Sequence, residues 1–486
     1  MNIARPPESG PLTADPLAGL AALLPPGALV TGEEDLARYS RDWSGDWTGR
    51  PLAVAKPSST QEVSAIMAYC HEAGIPVVPQ GGLTGLVGGA TASEGRELVV
   101  SLERMNRVRS VNGIDFAMVV EAGCILEDAK RAADAQDCLL PITFGAQGSC
   151  RIGGNVATNA GGFNVLRYGM TRDLVLGLEV VLADGRVWNG LKVLRKDNRG
   201  YDLKQLFIGS EGTLGIVTAA ALKLFPRPTQ VETALVGLRS VEDAMALYAR
   251  ARRECSDLLS AFELILRVGI EIAMRARPDL GDPLGEPYPV YVLIEAGAGG
   301  RVDLRTMLEE FLAEADDLVA DGVVAQNRAQ GERLWMYREM MVETQGRGEP
   351  YYRTDVSVPI SQLAAFVGDA LDGLAARLPE AMPVTYGHVG DGNLHLNVVP
   401  PSGLEPEARR ALFKEAEAVI FASLDRHEGS ISAEHGIGRS KQAAFLRRAD
   451  PVGLDLAHRL KDALDPAHLL SEGRILAQAA RTSEPQ

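Results

Sequence analysis

The sequence of 486 residues predicts an α+β protein built from two domains and a terminal segment. Up to about residue 228, strands, glycine-rich loops and helices recur, which is typical of an α+β domain. From about residue 229, strands alternate with long helices, which predicts a second domain whose antiparallel sheet is covered by helices. We therefore expect domains at 1–228 and 229–429, followed by a helical segment at 430–486.

Local signals place the elements of the first domain. Ser59-Thr60-Gln61-Glu62 has the form of a capping box, and the amphipathic stretch after it should end as a helix at Gly74. Residues 75–79 predict a buried strand, and 175–187 predict two strands joined by a turn at 183–185. The proline-rich stretch at 225–228 is the expected domain boundary.

Periodicity gives the elements of the second domain. The expected strands are 288–294, 384–389 and 394–398, and the expected long helices are 240–253, 301–316 and 361–377. From about residue 430 we expect helix, including the motif Glu434-His435.

Composition limits the classes of function. A formal charge of −15 excludes non-specific nucleic-acid binding, which needs a basic face, although a small anionic substrate needs only a local cationic pocket. The five cysteines include no CxxC pair, which favours reduced thiols in a cytoplasmic protein. The sequence holds no apolar run of transmembrane length and no secretion signal.

Three glycine-rich segments, 79–89, 148–162 and 209–215, point to a large phosphate-bearing cofactor, because consecutive glycines turn backbone N–H groups towards an anion. None fits G-x-G-x-x-G after a first strand, so a Rossmann site is disfavoured, and a Walker P-loop, a G-x-S-x-G elbow and an H-E-x-x-H helix are absent. The candidate cofactor-binding residues are Pro79, Gln80, Gly81, Gly82, Leu83, Thr84, Gly85, Gly88, Gly89, Gly148, Ser149, Gly153, Gly154, Asn155, Thr158, Asn159, Gly161, Gly162, Glu211, Gly212, Gly215 and Ile216.

Two histidine motifs, 386–397 and 432–438, predict one metal site. With Asp391 and Gly392 as a two-residue turn, His388 would lie directly opposite His395 on one face of a hairpin. Glu434 can supply a carboxylate ligand, which leaves His435 as a free base. A His₂Glu set with an open position is catalytic in type and suits Zn²⁺, with Mn²⁺, Fe²⁺ or Co²⁺ as alternatives.

With Lys56-Pro57 ahead of them, the glycine segments resemble the FAD domain of the vanillyl-alcohol oxidase and p-cresol methylhydroxylase superfamily. The histidine motifs resemble its flavin-dependent D-2-hydroxyacid dehydrogenases. The resemblance implies that 430–486 packs back on 1–228 to complete the FAD domain, and that 229–429 forms the substrate domain. FAD should be non-covalent, since Leu83 and Thr84 occupy the stretch where covalently flavinylated members place a histidine.

The resemblance also implies a reaction, the oxidation of a D-2-hydroxy acid to the 2-oxo acid by hydride transfer to flavin N5. The metal would bind the substrate hydroxyl, and His435 would remove its proton. Arg338, Arg353 and Asn397 are the expected substrate-binding residues, with Arg353 standing where D-2-hydroxyglutarate dehydrogenases carry lysine. Two arginines favour D-2-hydroxyglutarate, with D-lactate or D-malate as alternatives.

Three rival interpretations make different predictions. A metal-dependent hydrolase or lyase would be colourless and would need no redox acceptor. A flavoprotein without metal would be insensitive to chelators. A non-catalytic binding protein is disfavoured, because every proposed ligand and the base are present. A dehydrogenase needs an electron acceptor, namely an electron-transfer flavoprotein, a quinone or a cytochrome, and a homodimer is the default assembly.

Overall fold

The computed structural model of the chain describes residues 16–93, 95–345 and 350–477. Contacts between Cα atoms divide the chain into two units. The first consists of Met1–Gly161, Met170–Pro226 and Glu434–Gln486, and the second of Gly162–Gly169 and Arg227–Ala433. The limits at 228 and 429 stay a prediction of where the folding domains end.

The helices vary from one turn to six turns in length. They are α1 (Pro16–Leu23), α2 (Glu33–Leu36), α3 (Thr60–Ala73), α4 (Leu126–Asp134), α5 (Ile152–Ala157), α6 (Val165–Tyr168), α7 (Thr171–Leu174), α8 (Lys204–Phe207), α9 (Val241–Glu254), α10 (Arg267–Ala276), α11 (Leu304–Glu314), α12 (Arg328–Gln345), α13 (Leu363–Arg377), α14 (Pro406–Arg426), α15 (Gln442–Arg448) and α16 (Pro451–Leu464). Within the described residues, no helix is long and apolar enough to span a bilayer.

The strands are shorter in the first half of the chain than in the second. They are β1 (Leu29–Val30), β2 (Ala53–Ala55), β3 (Val77–Gln80), β4 (Leu98–Ser101), β5 (Val108–Asn112), β6 (Ala117–Glu121), β7 (Cys138–Leu139), β8 (Val175–Val181), β9 (Val187–Asn189), β10 (Ile216–Lys223), β11 (Phe225–Pro226), β12 (Gln230–Leu238), β13 (Leu259–Leu266), β14 (Val290–Ala298), β15 (Val319–Val324), β16 (Val356–Ser357), β17 (Met382–His388) and β18 (Asn393–Val399).

The described residues of the first unit form three sheets. One has the order β1-β2-β4-β3, and its strands β2, β4 and β3 run parallel. An antiparallel sheet has the order β5-β6-β10-β8-β9, and β11 pairs with β7. The central strand β10 is buried along almost its whole length, so the core of this unit lies around it.

The predicted N-cap of α3 is confirmed, but the return bond of the Glu62 carboxylate goes to the Ser58 amide, at 2.7 Å, instead of the Ser59 amide that a capping box uses. The Ser59 hydroxyl accepts a hydrogen bond from the Glu62 amide at 3.2 Å. The helix ends at Gly74, whose φ of 64° is the left-handed conformation that terminates helices. The turn predicted at 183–185 is also present, between β8 and β9.

The C-terminal segment is tied into the first unit by a buried lysine. Lys461 Nζ donates to the Asp465 carboxylate at 2.6 Å and to the carbonyls of Thr213 and Leu470 at 2.8 Å each. The backbone around Leu470 also pairs with Val77 of β3. These contacts connect α16 to the third glycine segment.

The second unit is organised on one seven-stranded sheet with the order β15-β12-β14-β13-β17-β18-β16. The pairings within it are antiparallel, so the predicted α+β class with an antiparallel second sheet is confirmed. The strands and helices predicted for this half correspond to β14, β17, β18, α9, α11 and α13, with ends that differ by four residues at most.

One expectation for the C-terminal segment is wrong. Residues 430–441 are not helical, so Glu434-His435 lies in a loop ahead of α15. The stretch contains Gly436 and Gly438, both at positive φ, which interrupts a helix despite the polar periodicity around it.

Candidate active site

His388 and His395 lie on the adjacent strands β17 and β18, but not directly opposite each other. Tyr386 pairs with His395, so continuing the register sets His388 opposite Asn393, and the predicted pairing is wrong. Four residues connect the strands rather than two, with the Asn393 amide donating to the Asp391 side chain at 3.1 Å. A shift of two residues keeps both imidazoles on one face, and their ring centroids are 5.9 Å apart.

Each imidazole has an acceptor beside its Nδ1 atom. His388 Nδ1 lies 2.6 Å from a carboxylate oxygen of Glu263, and His395 Nδ1 lies 3.2 Å from the carbonyl oxygen of Thr354. These acceptors assign the proton of each ring to Nδ1. The lone pair of each ring is therefore on Nε2, which is the arrangement found in metal-binding histidines.

Glu263 forms the centre of a buried ionic cluster. It lies on β13 directly opposite His388, and it is 1 % exposed. Its second oxygen accepts from Nε of Arg338 at 2.8 Å, and that arginine is also 1 % exposed. Burial raises the pKa of Glu263, but His388 and Arg338 outweigh it and lower the pKa to about 2. Glu263 is therefore a carboxylate.

The guanidinium of Arg338 is held between aromatic rings. Its central carbon lies 4.6 Å from the ring centroid of Tyr386 and 5.3 Å from that of Phe163. Nη2 is 3.5 Å from Nε2 of His388, and the buried Nη1 has no hydrogen-bond partner among the described residues. The predicted substrate arginine is thus a buried cation whose Nη1, with two N–H donors, could bind an anion.

Asn397 and Arg353 are the other two predicted substrate residues. Asn397 is buried, accepts from the Thr354 amide at 2.9 Å and donates to the Tyr386 hydroxyl at 3.3 Å. It thereby supports Thr354, whose carbonyl orients His395. Arg353 is half-buried, with its guanidinium carbon 5.1 Å from the ring centroid of Tyr351.

The loop that carries Glu434 and His435 begins at an anchored point in the second unit. Ser432 Oγ donates to the Asp355 carboxylate at 3.4 Å, and the Ala433 amide donates to the Asp355 carbonyl at 3.3 Å. Both Glu434 and His435 are half-buried. His388 and His395 belong to the second unit and Glu434 to the first, so the joining of all three in one metal site stays a prediction.

The later part of the same loop borders the third glycine segment within the first unit. The amides of Ile437 and Gly438 donate to the two carboxylate oxygens of Glu211 at 2.7 and 2.8 Å. Burial raises the pKa of this carboxyl, and the two amides only partly counter that effect. The predicted cofactor residue Glu211 therefore fixes the backbone that follows Glu434-His435.

The first two glycine segments lie against each other. A side chain at Gly82 would collide with the carbonyl of Ser149, so this approach requires glycine. By contrast, a Cβ at Gly85 or Gly154 would meet nothing within 4 Å. The segments thus combine one tight contact with backbone that stands in open space.

Three non-glycine residues of these segments have left-handed backbones. The φ angles are 56° at Leu83, 50° at Asn159 and 51° at Glu211. Left-handed residues cost free energy and turn successive amides to one side, so they cluster at ligand sites. All three glycine segments therefore share a backbone geometry suited to a bound anion.

The polar side chains among the predicted cofactor residues bind the protein itself. Gln80 Nε2 donates to the carbonyls of Tyr39 and Ala90 at 3.0 and 2.9 Å. Asn159 accepts from the Arg172 amide at 2.8 Å. Thr158 Oγ1 donates to the Gly154 carbonyl and Asn155 Nδ2 to the Cys150 sulfur. These side chains hold the segments in their conformations.

Models of two protein families match the chain. One is described as "FAD linked oxidases, C-terminal domain" and matches residues 227–475, and one described as "FAD binding domain" matches residues 51–190. The first match alone covers about half of the chain. The chain belongs to the FAD-linked oxidase family. It is therefore an FAD-dependent oxidoreductase, and the predicted family resemblance is confirmed.

Curated relatives of this FAD-linked oxidase match it over nearly its whole length. "D-2-hydroxyglutarate dehydrogenase, mitochondrial" from Bos taurus is 40% identical, covering 96% of this chain and 84% of the relative. "D-2-hydroxyglutarate dehydrogenase" from Xanthomonas citri pv. viticola is 39% identical, and the match covers 96% of this chain and 97% of the relative. A D-2-hydroxyglutarate–pyruvate transhydrogenase from Saccharomyces cerevisiae is 34% identical, and the match covers 97% of this chain and 96% of the relative.

Solved structures confirm the predicted fold of the vanillyl-alcohol oxidase and p-cresol methylhydroxylase type. The FAD-linked oxidase is similar to 4-ethylphenol oxidase from Gulosibacter chungangensis with a TM-score of 0.73 and 17% identity, over 96% of this chain and 97% of that one. It is also similar to p-cresol methylhydroxylase, with a TM-score of 0.72 and 16% identity over 95% of this chain and 96% of that one.

Sequence reasoning missed two residues of this FAD-linked oxidase. Glu263 is the one charged residue in the buried strand β13, and that interruption is the signal that could have found it. Phe163, whose ring lies 5.2 Å from that of His388, follows a predicted glycine segment and carries no comparable signal. It contacts Trp335 as well, at 5.1 Å between centroids.

Proposed function

We propose that this FAD-linked oxidase converts a D-2-hydroxy acid to the 2-oxo acid, with D-2-hydroxyglutarate as its substrate. The carrying observation is the pair of imidazoles on one sheet face, each with Nδ1 beside an acceptor and with a buried arginine next to them. These groups would form a metal site adjoining an anion site, as a hydroxy acid requires. The names of the relatives support the D-configuration and the dicarboxylate.

FAD would be held by the three glycine segments of the first unit. The side chains of Gln80, Asn155, Thr158 and Asn159 bind the protein itself, so the backbone amides would bind the pyrophosphate. Leu83 and Thr84 bring neither an imidazole nor a thiol to the first segment, which supports non-covalent binding. Bound FAD supplies the two-electron acceptor for the hydride from C2, at N5.

A divalent ion, Zn²⁺ in the first instance, would be held by His388, His395 and Glu434. Two imidazoles and a carboxylate are a donor set that zinc accepts, and they leave a position for the substrate. Bound there, the metal lowers the pKa of the substrate hydroxyl. The acceptors beside both Nδ1 atoms hold the rings in the required tautomer.

His435 would act as the general base. It follows Glu434 directly in the chain, and an imidazole titrates near neutral pH. Removing the hydroxyl proton leaves the electron pair that forms the C=O bond while C2 gives up its hydride. His435 would take the proton, and bound FAD would supply the acceptor for the hydride, so the two-electron oxidation would balance.

The two arginines would bind the two carboxylates of the substrate. Arg338 Nη1 is buried and has no partner in the part of the chain that the structure describes, and a charge-assisted hydrogen bond is strong in such a position. Arg353, half-buried, would bind the distal carboxylate as a fork. Asn397 would contribute a further hydrogen bond to the substrate carboxylate.

The remaining partners follow from the reaction. Turnover needs an acceptor that reoxidises the flavin, for which an electron-transfer flavoprotein, a quinone or a cytochrome would serve. The five described cysteines are free and buried, which supports a reducing compartment such as the cytoplasm, although relatives are named mitochondrial. Cell fractionation distinguishes the two locations, and sedimentation tests for a homodimer.

The direct test is the anaerobic visible spectrum of the purified protein during addition of D-2-hydroxyglutarate. We expect bleaching of the flavin band that EDTA abolishes and Zn²⁺ restores. His435→Gln should keep flavin and metal but slow bleaching by about 10²–10⁴-fold. A yellow protein bleached by D-lactate but not by D-2-hydroxyglutarate would refute the substrate, and bleaching unaffected by EDTA would refute the metal.

A further inference from the structure

Both carboxylate oxygens of Glu263 are engaged in the interior of the second unit. One lies 2.6 Å from His388 Nδ1, and the other accepts from Arg338 Nε at 2.8 Å. The residue is buried and directly opposite His388 on the paired strand. A single side chain thus contacts a proposed metal ligand and a proposed substrate-binding cation.

Stability alone does not account for this arrangement. The other residues of β13 are uncharged, and apolar side chains in place of both Glu263 and Arg338 would suit the same interior. Replacing buried ionic groups with apolar residues of similar volume is commonly neutral or stabilising. A carboxylate here costs desolvation free energy, which points to a role beyond packing.

We infer that Glu263 is a positioning residue that fixes the tautomer of His388 for metal binding and the orientation of Arg338 for carboxylate binding. The inference rests on the proposed function. Because both contacts use one carboxylate, rotation of that group would disturb both partners together. Metal affinity and substrate KM should therefore be coupled through position 263.

The chemistry of glutamine gives the inference a sharp test. An amide offers one acceptor oxygen and one NH₂ donor, whereas the Nδ1–H of His388 and the Nε–H of Arg338 both need an acceptor. If the oxygen faces Arg338, the NH₂ faces His388 and favours the tautomer whose Nε2 is protonated. That tautomer cannot bind a metal through Nε2. Aspartate keeps two acceptors but is one methylene shorter.

The experiment measures Zn²⁺ affinity by competition with a chromophoric chelator, beside KM for D-2-hydroxyglutarate, in the FAD-loaded full chain. Glu263→Gln should bind Zn²⁺ about 10–100-fold more weakly than the wild type, as loss of such a partner does elsewhere, and should raise KM. The Zn²⁺ affinity and the KM of Glu263→Asp should lie between those of Glu263→Gln and those of the wild type. Glu295→Gln is the matched control, since this half-buried carboxyl on β14 contacts Trp335 and Ser260 instead.

The outcomes separate this inference from the proposed function. If the wild type binds Zn²⁺, His388→Ala does not, and Glu263→Gln matches the wild type in affinity and KM, the inference is wrong and the proposed function stands. If the wild type itself binds no Zn²⁺, the proposed metal site fails. Should Glu263→Gln not fold, judged by circular dichroism, Glu263→Asp decides: an affinity equal to that of the wild type overturns the role.

Discussion

Replacing Lys461 with methionine should destabilise the first unit strongly. The ammonium group donates to Asp465, Thr213 and Leu470, and Lys461 is 6 % exposed. Methionine matches the length of the stem but supplies no donor. It would leave the fully buried carboxylate of Asp465 without its cation and two carbonyls without a partner.

The magnitude follows from the burial of the pair. Removing one partner of a buried ion pair costs roughly 3–5 kcal/mol, because the remaining charge is left uncompensated. The amides of Leu469 and Leu470 also donate to Asp465, which keeps the cost within this range. For a unit of this size, a loss of that order lowers the melting temperature by roughly 6–20 °C.

The assay is the temperature at which heated protein releases fluorescent FAD, because Lys461 bonds the third glycine segment at Thr213. The matched control is Arg459→Met on the same helix, where the side chain is 75% exposed and pairs with Asp455. An exposed pair contributes about 0–1 kcal/mol, so the control should melt within a few degrees of the wild type. A Lys461→Met protein that releases FAD at the same temperature as Arg459→Met would refute the reasoning.

Two further predictions concern other parts of the first unit. Gly82→Ala should reduce the FAD content of the purified protein, because the added Cβ meets the Ser149 carbonyl. Gly85→Ala is the control and should retain FAD, because its Cβ lies in open space. The ratio of flavin to protein absorbance compares the two variants, and equal FAD content would contradict the expectation. Burial raises the pKa of the Glu97 carboxyl, but Arg474 lowers it by more, so the pKa in the folded protein lies below the ordinary value of about 4.3. The stabilisation that Glu97 contributes is therefore present above about pH 4.3 and is lost as the pH falls below that value. Glu97→Gln should therefore flatten the pH dependence of FAD release between about pH 5 and 3, and an unchanged slope would count against this assignment.

The sequence predicted the architecture where local signals are strong. The N-cap signal at Ser59 and the alternation in the second half gave elements close to those observed. It failed on the register of the β17–β18 hairpin, since connections of two and four residues leave the same side chains on one face. Periodicity therefore identified the face shared by His388 and His395 but not the residues that pair across it.

The surroundings of the site could not be predicted for a different reason. Glu263 lies 125 residues before His388 in the chain, and nothing local relates the two. Pairing of β13 with β17 joins them, and strand order is a long-range property that one sequence does not reveal. The ligands were recognisable because they are clustered in short motifs, whereas the groups that orient them come from distant strands.

The division of the chain has a consequence for its synthesis. The polypeptide passes from one unit to the other at Gly161, Gly169, Pro226 and Ala433, so neither unit is a single continuous stretch. On the ribosome, most of the second unit emerges before Lys461 and the strand partner of Val77 exist. The first unit therefore stays incompletely folded, and the edge of β3 stays unpaired, until the C-terminal segment with Leu470 has been synthesised. Chaperone dependence and truncation at the 3′ end of the message should thus affect the flavin-binding half of the protein most.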